Sequence, residues 1–241
     1  MISLELVDAD SGFVGVLGDS ASIVFDRGEV VALAPAGEAA TETVGEGARA
    51  TLASSGTEVE LGLSPLGPQL RLEAPWLPAR ELSACRASGL LRREGRAVTL
   101  SGIGILSRWE VEPSLGTDEL HRQLAVAFAD GGVLAITAAR PDGSGEHGAE
   151  AIEAALVGPD GRPQPIGEAL LSTEYDPQGR HRRATLELWA EEGDGPAMRA
   201  GAELICGTTL PGEAPRIDLA FLRWSLDGRP GLGSYEVVRA R

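Results

Sequence analysis

Along most of this chain apolar and polar positions alternate with a period of two, the spacing of a strand buried on one face. Thr57-Glu-Val-Glu-Leu-Gly-Leu63 and Ala184-Thr-Leu-Glu-Leu-Trp-Ala190 are clear cases, of the kind antiparallel strands with one wet face produce. Turn signals interrupt the alternation at short intervals. Asp26-Arg-Gly28 separates the apolar runs at 22–25 and 29–33, and Asp130-Gly131 separates those at 126–129 and 133–136. Each reads as a hairpin, because glycine tolerates the positive φ of a tight turn. Further turns are predicted at Pro141-Asp-Gly143, Pro159-Asp-Gly161, Asp176 to Gly179, Gly193-Asp-Gly195 and Asp227-Gly228. Helical signal is thin: residues 148–157 contain Ala and Glu but run into a Gly-Pro-Asp-Gly turn, so they are read as a strand. Residues 63–78 carry Pro65, Pro68, Pro75 and Pro78. Proline gives a ladder no donor, so this stretch is predicted to be a sheet edge or a loop crossing.

One scheme occurs twice. The chain ends in Phe221-Leu-Arg-Trp-Ser-Leu-Asp-Gly-Arg-Pro-Gly-Leu-Gly-Ser-Tyr-Glu-Val-Val-Arg-Ala-Arg241, a strand, an Asp-Gly turn and a closing strand. Residues 89–104 repeat that order, with a Gly-Arg turn and a glycine-punctuated strand, roughly 130 residues earlier. A cluster of Pro, Ser, Gly and Asp between 112 and 119 separates the copies, which puts the domain boundary there and gives halves 1–112 and 113–241. Each half has the size of one small barrel.

Composition narrows the chemistry. With four Phe, two Tyr and four Trp, the interior must consist mainly of Val, Leu, Ile and Ala. The chain has no Lys, so all 21 Lys+Arg positions are Arg, which excludes a Schiff-base enzyme, a phosphate-binding Walker lysine and a Ser-Lys dyad. A net charge of -15 with scattered arginines excludes a polyanion-binding face, so no nucleic-acid partner is expected. No stretch approaches the apolar length of a membrane span and the first residues lack a signal-peptide pattern, so the expected location is cytoplasmic. Cys85 and Cys206 are read as small buried hydrophobes. His121, His147 and His181 sit at unrelated spacings and are expected on the surface, with no metal site and no cofactor. Ser20, Ser54 and Ser101 lack a nucleophile elbow.

The order of several motifs carries a resemblance. Residues 89–109, a Pro-Ser-Gly linker, Phe128-Ala-Asp-Gly-Gly132, Val157-Gly-Pro-Asp-Gly-Arg162 and Leu226-Asp-Gly-Arg-Pro-Gly-Leu-Gly-Ser-Tyr-Glu236 together resemble the tandem lipocalin-like proteins related to carotenoid 1,2-hydratase and AttH. The resemblance implies an all-β fold of two consecutive antiparallel lipocalin-like β-barrels, the first of them shortened, and an apolar terpenoid, polyketide or lipid-type ligand. It also implies a polar Asp-His-Ser-Trp segment that this chain lacks: Gly102-Ile-Gly-Ile-Leu-Ser-Arg-Trp-Glu110 keeps only Ser107 and Trp109. With the His and Asp replaced, no catalytic residue is assigned by transfer.

The ligand-binding candidates are Arg108 and Trp109, at the end of the strand closing the first half, with Trp224, Tyr235 and Glu236 on the last two strands. Trp224 and Tyr235 fit cross-strand core packing equally well. Glu236 and Asp218 are candidate buried acids, the arrangement that would restore proton transfer. Binding of a hydrophobic small molecule, in a barrel or between the barrels, therefore ranks ahead of catalysis. Burying about 300 Å² of apolar ligand is worth some 7 kcal/mol before association costs, so no charged anchor is needed. The alternative is a cofactor-independent hydratase, isomerase or cyclase working through one desolvated acid. A third reading, a scaffold with filled barrels, has no cavity. The oligomeric state is left open.

Overall fold

The computed structural model describes residues 1–111, 120–140, 150–191, 196–211 and 215–240, and every regular element in them is a β-strand. Nine strands form the first sheet: β1 (Ile2–Asp8), β2 (Phe13–Gly18), β3 (Ser22–Asp26), β4 (Glu29–Ala34), β5 (Ala40–Val44), β6 (Gly47–Ser54), β7 (Thr57–Ala74), β8 (Leu77–Arg93) and β9 (Arg96–Trp109). Eight more close into a barrel: β10 (Leu120–Phe128), β11 (Val133–Arg140), β12 (Ala151–Val157), β13 (Pro163–Tyr175), β14 (His181–Ala190), β15 (Met198–Thr209), β16 (Arg216–Leu226) and β17 (Arg229–Arg239). The fold is all-β and antiparallel throughout, as the alternation predicts. The expected boundary at residue 112, the turns at 141–143 and 193–195, and His147 lie outside the described residues.

The repeated scheme has a topological meaning. In each half the last strand returns to pair with the first, β9 with β1 and β17 with β10. The turns before those closing strands are tight, with positive φ at Glu94 and Gly95 and again at Asp227 and Gly228, the geometry of a two-residue hairpin turn. The glycines of the closing strands answer to close approach: a Cβ on Gly104 would sit 2.3 Å from the Glu5 carbonyl oxygen, and one on Gly233 1.8 Å from that of Ala125. Any side chain there would push the strands apart.

The first sheet runs β4-β3-β2-β1-β9-β8-β7-β6-β5, so β4 and β5 are its edges. Its inner faces nevertheless meet in one core, where Leu4, Phe13 and Val24 join Leu52, Leu61 and Leu106. Side chains bridge the gap between the wings: Thr57 Oγ1 donates to the Val31 carbonyl at 3.3 Å, and Thr41 Oγ1 to Asp19. The proline-rich stretch is strand and, as expected, a sheet edge, because β6 pairs with β7 only as far as Leu63 and residues 64–74 are laddered on β8 alone. It belongs to the second part of β7 and the start of β8. Pro65 and Pro68 are accommodated because the register breaks between Pro65 and Gln69, where a missing donor costs no ladder bond.

The barrel interior is filled by Leu124, Phe128, Leu186, Leu222, Trp224 and Tyr235. Outside it, two apolar clusters join the halves. On one side Leu72, Leu82 and Ile105 pack on Ala125, Ala127 and Val133; on the other Val7, Ile23 and Phe25 pack on Cys206, Leu219 and Phe221. Phe25 meets Phe221 edge-on, with ring centroids 6.0 Å apart.

Candidate functional site

Between the two apolar clusters runs a polar strip, and strand alternation decides which residues reach it. On β1, Leu4 and Leu6 face the first core while Ser3, Glu5 and Val7 face the barrel. Ser107 lies opposite Ser3, and Trp109 lies opposite Arg80 of β8, so both share that outer face. From the barrel side β17 turns Tyr235 inward and Ser234 and Glu236 outward, with Gln123 of β10 opposite Glu236. Ser3, Glu5, Arg80, Trp109, Gln123, Ser234 and Glu236 line a cavity of about 280 Å³ whose other wall is mostly apolar, with Val16, Ile23, Leu210, Ile217 and Leu219 beside Ser20 and Ser22.

Arg80 is the hub. Its Nη2 donates to Ser107 Oγ at 2.9 Å and lies 3.7 Å from Glu5 Oε1; its Nη1 donates to Gln123 Oε1 at 3.4 Å. The guanidinium sits 5.0 Å from the Trp109 ring centroid, a cation–π contact. Both members of the Glu5–Arg80 pair are buried, at 7% and 9% side-chain exposure. Burial raises the Glu5 carboxyl above its ordinary value, with Arg80 and Ser234 opposing the rise in part. Glu236 is also raised, again by burial first; Arg80 opposes this, and the Glu5 charge adds to it. Two carboxyls facing one guanidinium in a desolvated crevice are biased toward holding a proton. Glu5 Oε2 and Arg80 Nε have no hydrogen-bond partner among the described residues.

The five ligand-binding candidates are thus divided. Trp109 and Glu236 line the seam cavity. Arg108 is one residue out of phase with Trp109 and faces away, donating from Nη2 to the carbonyls of Glu46 and Gly47 at 3.0 and 3.2 Å. Trp224 and Tyr235 are buried in the barrel core; the Tyr235 hydroxyl bonds Thr173 Oγ1 at 2.7 Å, and burial pushes its pKa up to about 12. Asp218 is buried but ion-paired with Arg216 and Arg239 and hydrogen-bonded by Thr209, which together hold its pKa low. His121 and His181 are buried, a correction to their expected surface position: β10 is covered on both faces, and His181 Nε2 donates to the Tyr235 carbonyl at 2.7 Å. Cys85 and Cys206 are free and buried, their thiols pushed up to about 11 and about 12 by burial. A cavity of about 750 Å³ at the barrel mouth is lined by Arg122 and Glu150, already paired with each other, and by Arg216 and Arg239, which hold Asp218.

No protein-family model matches the chain, and no curated protein matches it in sequence. Solved structures do. An AttH-like protein from Nitrosomonas europaea superposes with a TM-score of 0.70 at 13% identity, over 98% of this chain and 90% of that one. Kievitone hydratase from Nectria haematococca gives 0.64 at 9% identity, over 99% and 87%. CghA with Sch210972 gives 0.62 at 10% identity, over 99% and 87%. The chain has the AttH-like fold. In the segment where the resemblance implies polar chemistry, the two retained residues, Ser107 and Trp109, stand on either side of Arg80's hydrogen-bonding and stacking contacts in the seam. Glu5, Arg80, Gln123 and Ser234 complete the site and went unread in the sequence. The available signal was two-sided apolarity: β10 reads Leu-His-Arg-Gln-Leu-Ala-Val-Ala-Phe, so any polar residue within it must be buried on one face or the other.

Proposed function

We propose that the protein is a cofactor-independent hydratase, isomerase or cyclase acting on an apolar small molecule in the seam cavity. Glu5 and Glu236 serve as its acid and base, with Arg80 between them. The observation that carries this reading is the carboxyl pair: two acids with raised pKa values, Glu5 buried and Glu236 half-buried, around one guanidinium in a cavity with a mostly apolar wall. Among the structural neighbours one is named a hydratase and another is described with Sch210972, which supports small-molecule chemistry on this fold. A purely binding role would not need desolvated acids, since apolar burial alone holds such a ligand. The halves 1–112 and 113–241 then act as two units that each supply one acid.

For a hydration, the protonated carboxyl gives its proton to an alkene carbon. The adjacent cationic carbon takes the oxygen of a water molecule, and the ionised carboxyl accepts the proton that this water releases. One alkene and one water become one alcohol, and the carboxyls exchange protonation states until a proton passes back. Isomerisation or cyclisation uses the same donor and acceptor without the water. Such acid–base assistance is worth about 10²–10⁴ in rate.

Carboxyl-carbon NMR on glutamate-labelled protein, assigned with Glu5→Gln and Glu236→Gln, tests the reading. At least one of the pair should keep its proton to a higher pH than an ordinary glutamate does; titration of both at the ordinary glutamate value would overturn it. Turnover of a terpenoid alkene panel in isotopically labelled water should be lost in either variant.

A further inference from the structure

The balance of charge and surface in the seam cavity defines what can enter it. Among the described residues the ionisable side chains that line it are Glu5, Arg80 and Glu236; the Arg80 charge acts on both carboxyls, and the Glu5 charge on Glu236. The Met1 amine, also at the rim, is turned onto the Trp109 carbonyl at 3.2 Å. The guanidinium is already engaged by Ser107, Gln123, Glu5 and the Trp109 ring. Among the described residues no cation is left over for an incoming anion, which would meet two acids at close range in a desolvated space.

Two unmet polar atoms sit in the same trio. Glu5 Oε2 accepts or, when protonated, donates; Arg80 Nε donates. A hydroxyl or carbonyl oxygen matches that demand. Across from them Ile23, Leu210, Ile217 and Leu219 form an apolar wall; Ser20 and Ser22 also line the cavity, and Ser22 Oγ already accepts from the Gly18 N–H at 3.1 Å. The volume, about 280 Å³, lies at the small end of ligand cavities.

We infer that the seam takes an uncharged molecule with a compact hydrocarbon body and one alcohol or ketone oxygen, the oxygen held at Glu5 and Arg80 and the body on the Ile23–Leu210 wall, and that it rejects carboxylates of the same shape. This rests on the seam being the substrate site, as proposed above, and names the substrate class. Rejection follows from the two acids, so replacing them with isosteric amides should reverse it.

1-Adamantanol and 1-adamantanecarboxylate are a matched pair of probes. Their affinities for the intact protein are to be measured by calorimetry at pH 8, with the Trp109 indole resonance, assigned through Trp109→Phe, reporting whether binding is in the seam. The alcohol should shift that resonance and bind at least tenfold more tightly than the carboxylate. In a Glu5→Gln, Glu236→Gln double variant the preference should reverse by at least tenfold, because Arg80 is then free to pair with the anion. Equal or tighter carboxylate binding to the native protein, no shift of Trp109 with the alcohol, or an unchanged ratio in the double variant each overturn the inference. The native-protein ratio stands as a test if the variant does not fold. Both readouts are binding constants, so a protein that discriminates in this way but converts nothing would defeat the catalytic reading and leave this one intact.

Discussion

The interior of the C-terminal barrel and the seam beside it are separated by a single strand, β17, and are built from alternate residues of it. Tyr235 and Val237 point into the barrel, where they join Trp224 and Leu222 in a filled apolar core. Ser234 and Glu236 point into the seam, where a cavity remains and charged groups are incompletely bonded. The first region stabilises by burial. The second costs stability, because desolvating three charges is not fully offset by a pair 3.7 Å apart. Unfavourable burial at a crevice between two packed halves is what a site requires and a core does not.

The largest expected effect tests the barrel side of this contrast. Trp224→Ala should cost about 4–5 kcal/mol in urea denaturation, since the side chain is 1% exposed and the barrel around it closes on all sides. It should leave the seam carboxyl titrations where they were; a change there would mean that the two regions are not independent. Next is Arg80→Met, which leaves the buried Glu5 and the half-buried Glu236 without their cation. A loss of about 3–4 kcal/mol is expected at pH 8. Glu5 and Glu236 already have raised pKa values and would rise further, so the folded state binds protons more tightly than the unfolded one, and much of the loss should be recovered as the pH falls to about 5. The same loss at both pH values would show that Arg80 acts by packing alone.

Titration separates the regions again with opposite signs. His181, on the barrel wall with its ring 4.5 Å from that of Tyr235, is lowered from 6.5 to about 4 by burial. Its neutral form is the folded one, so its contribution is complete above about pH 6.5 and is lost on acidification, about 3 kcal/mol by pH 4. The seam glutamates lose stability in the other direction, as the pH rises through their raised values. Stability measured from pH 4 to 8 should lose its His181 limb in His181→Phe and keep the glutamate limb. The smallest effect is reserved for Arg108→Ala, below about 1 kcal/mol, because that side chain makes two carbonyl contacts away from the seam. Altered binding at Trp109 in this variant would contradict the assignment of faces.

Strand alternation and turn chemistry made the fold readable. Asp227-Gly228 and Glu94-Gly95 adopt the positive φ that such pairs suggest, and the glycine-rich closing strands are explained by carbonyls that leave no room for a Cβ at Gly104 and Gly233. The site was only half readable. Trp109 and Glu236 were reachable as polar or aromatic residues on closing strands, but Arg108 and Tyr235 are their immediate neighbours in sequence, and one residue changes the face. Glu5 and Arg80 carried no local mark: each sits in a strand that reads as ordinary amphipathic sequence, and the proline-rich stretch before Arg80 pointed to a sheet edge or a loop crossing.

The sequence by itself determined the class of structure: antiparallel strands, hairpin positions, a two-part chain with glycine-punctuated closures, and chemistry without lysine. These are local properties, set by a period of two, by φ preferences and by composition. Tertiary structure alone decided that Glu5, Arg80 and Glu236, 75 to 231 residues apart in the chain, face one another. That meeting depends on the register with which β9 closes on β1 and β17 on β10, and on which outer faces the apolar clusters press together. A register shift of one residue would turn all three away, and nothing in the order of residues within any one strand records it.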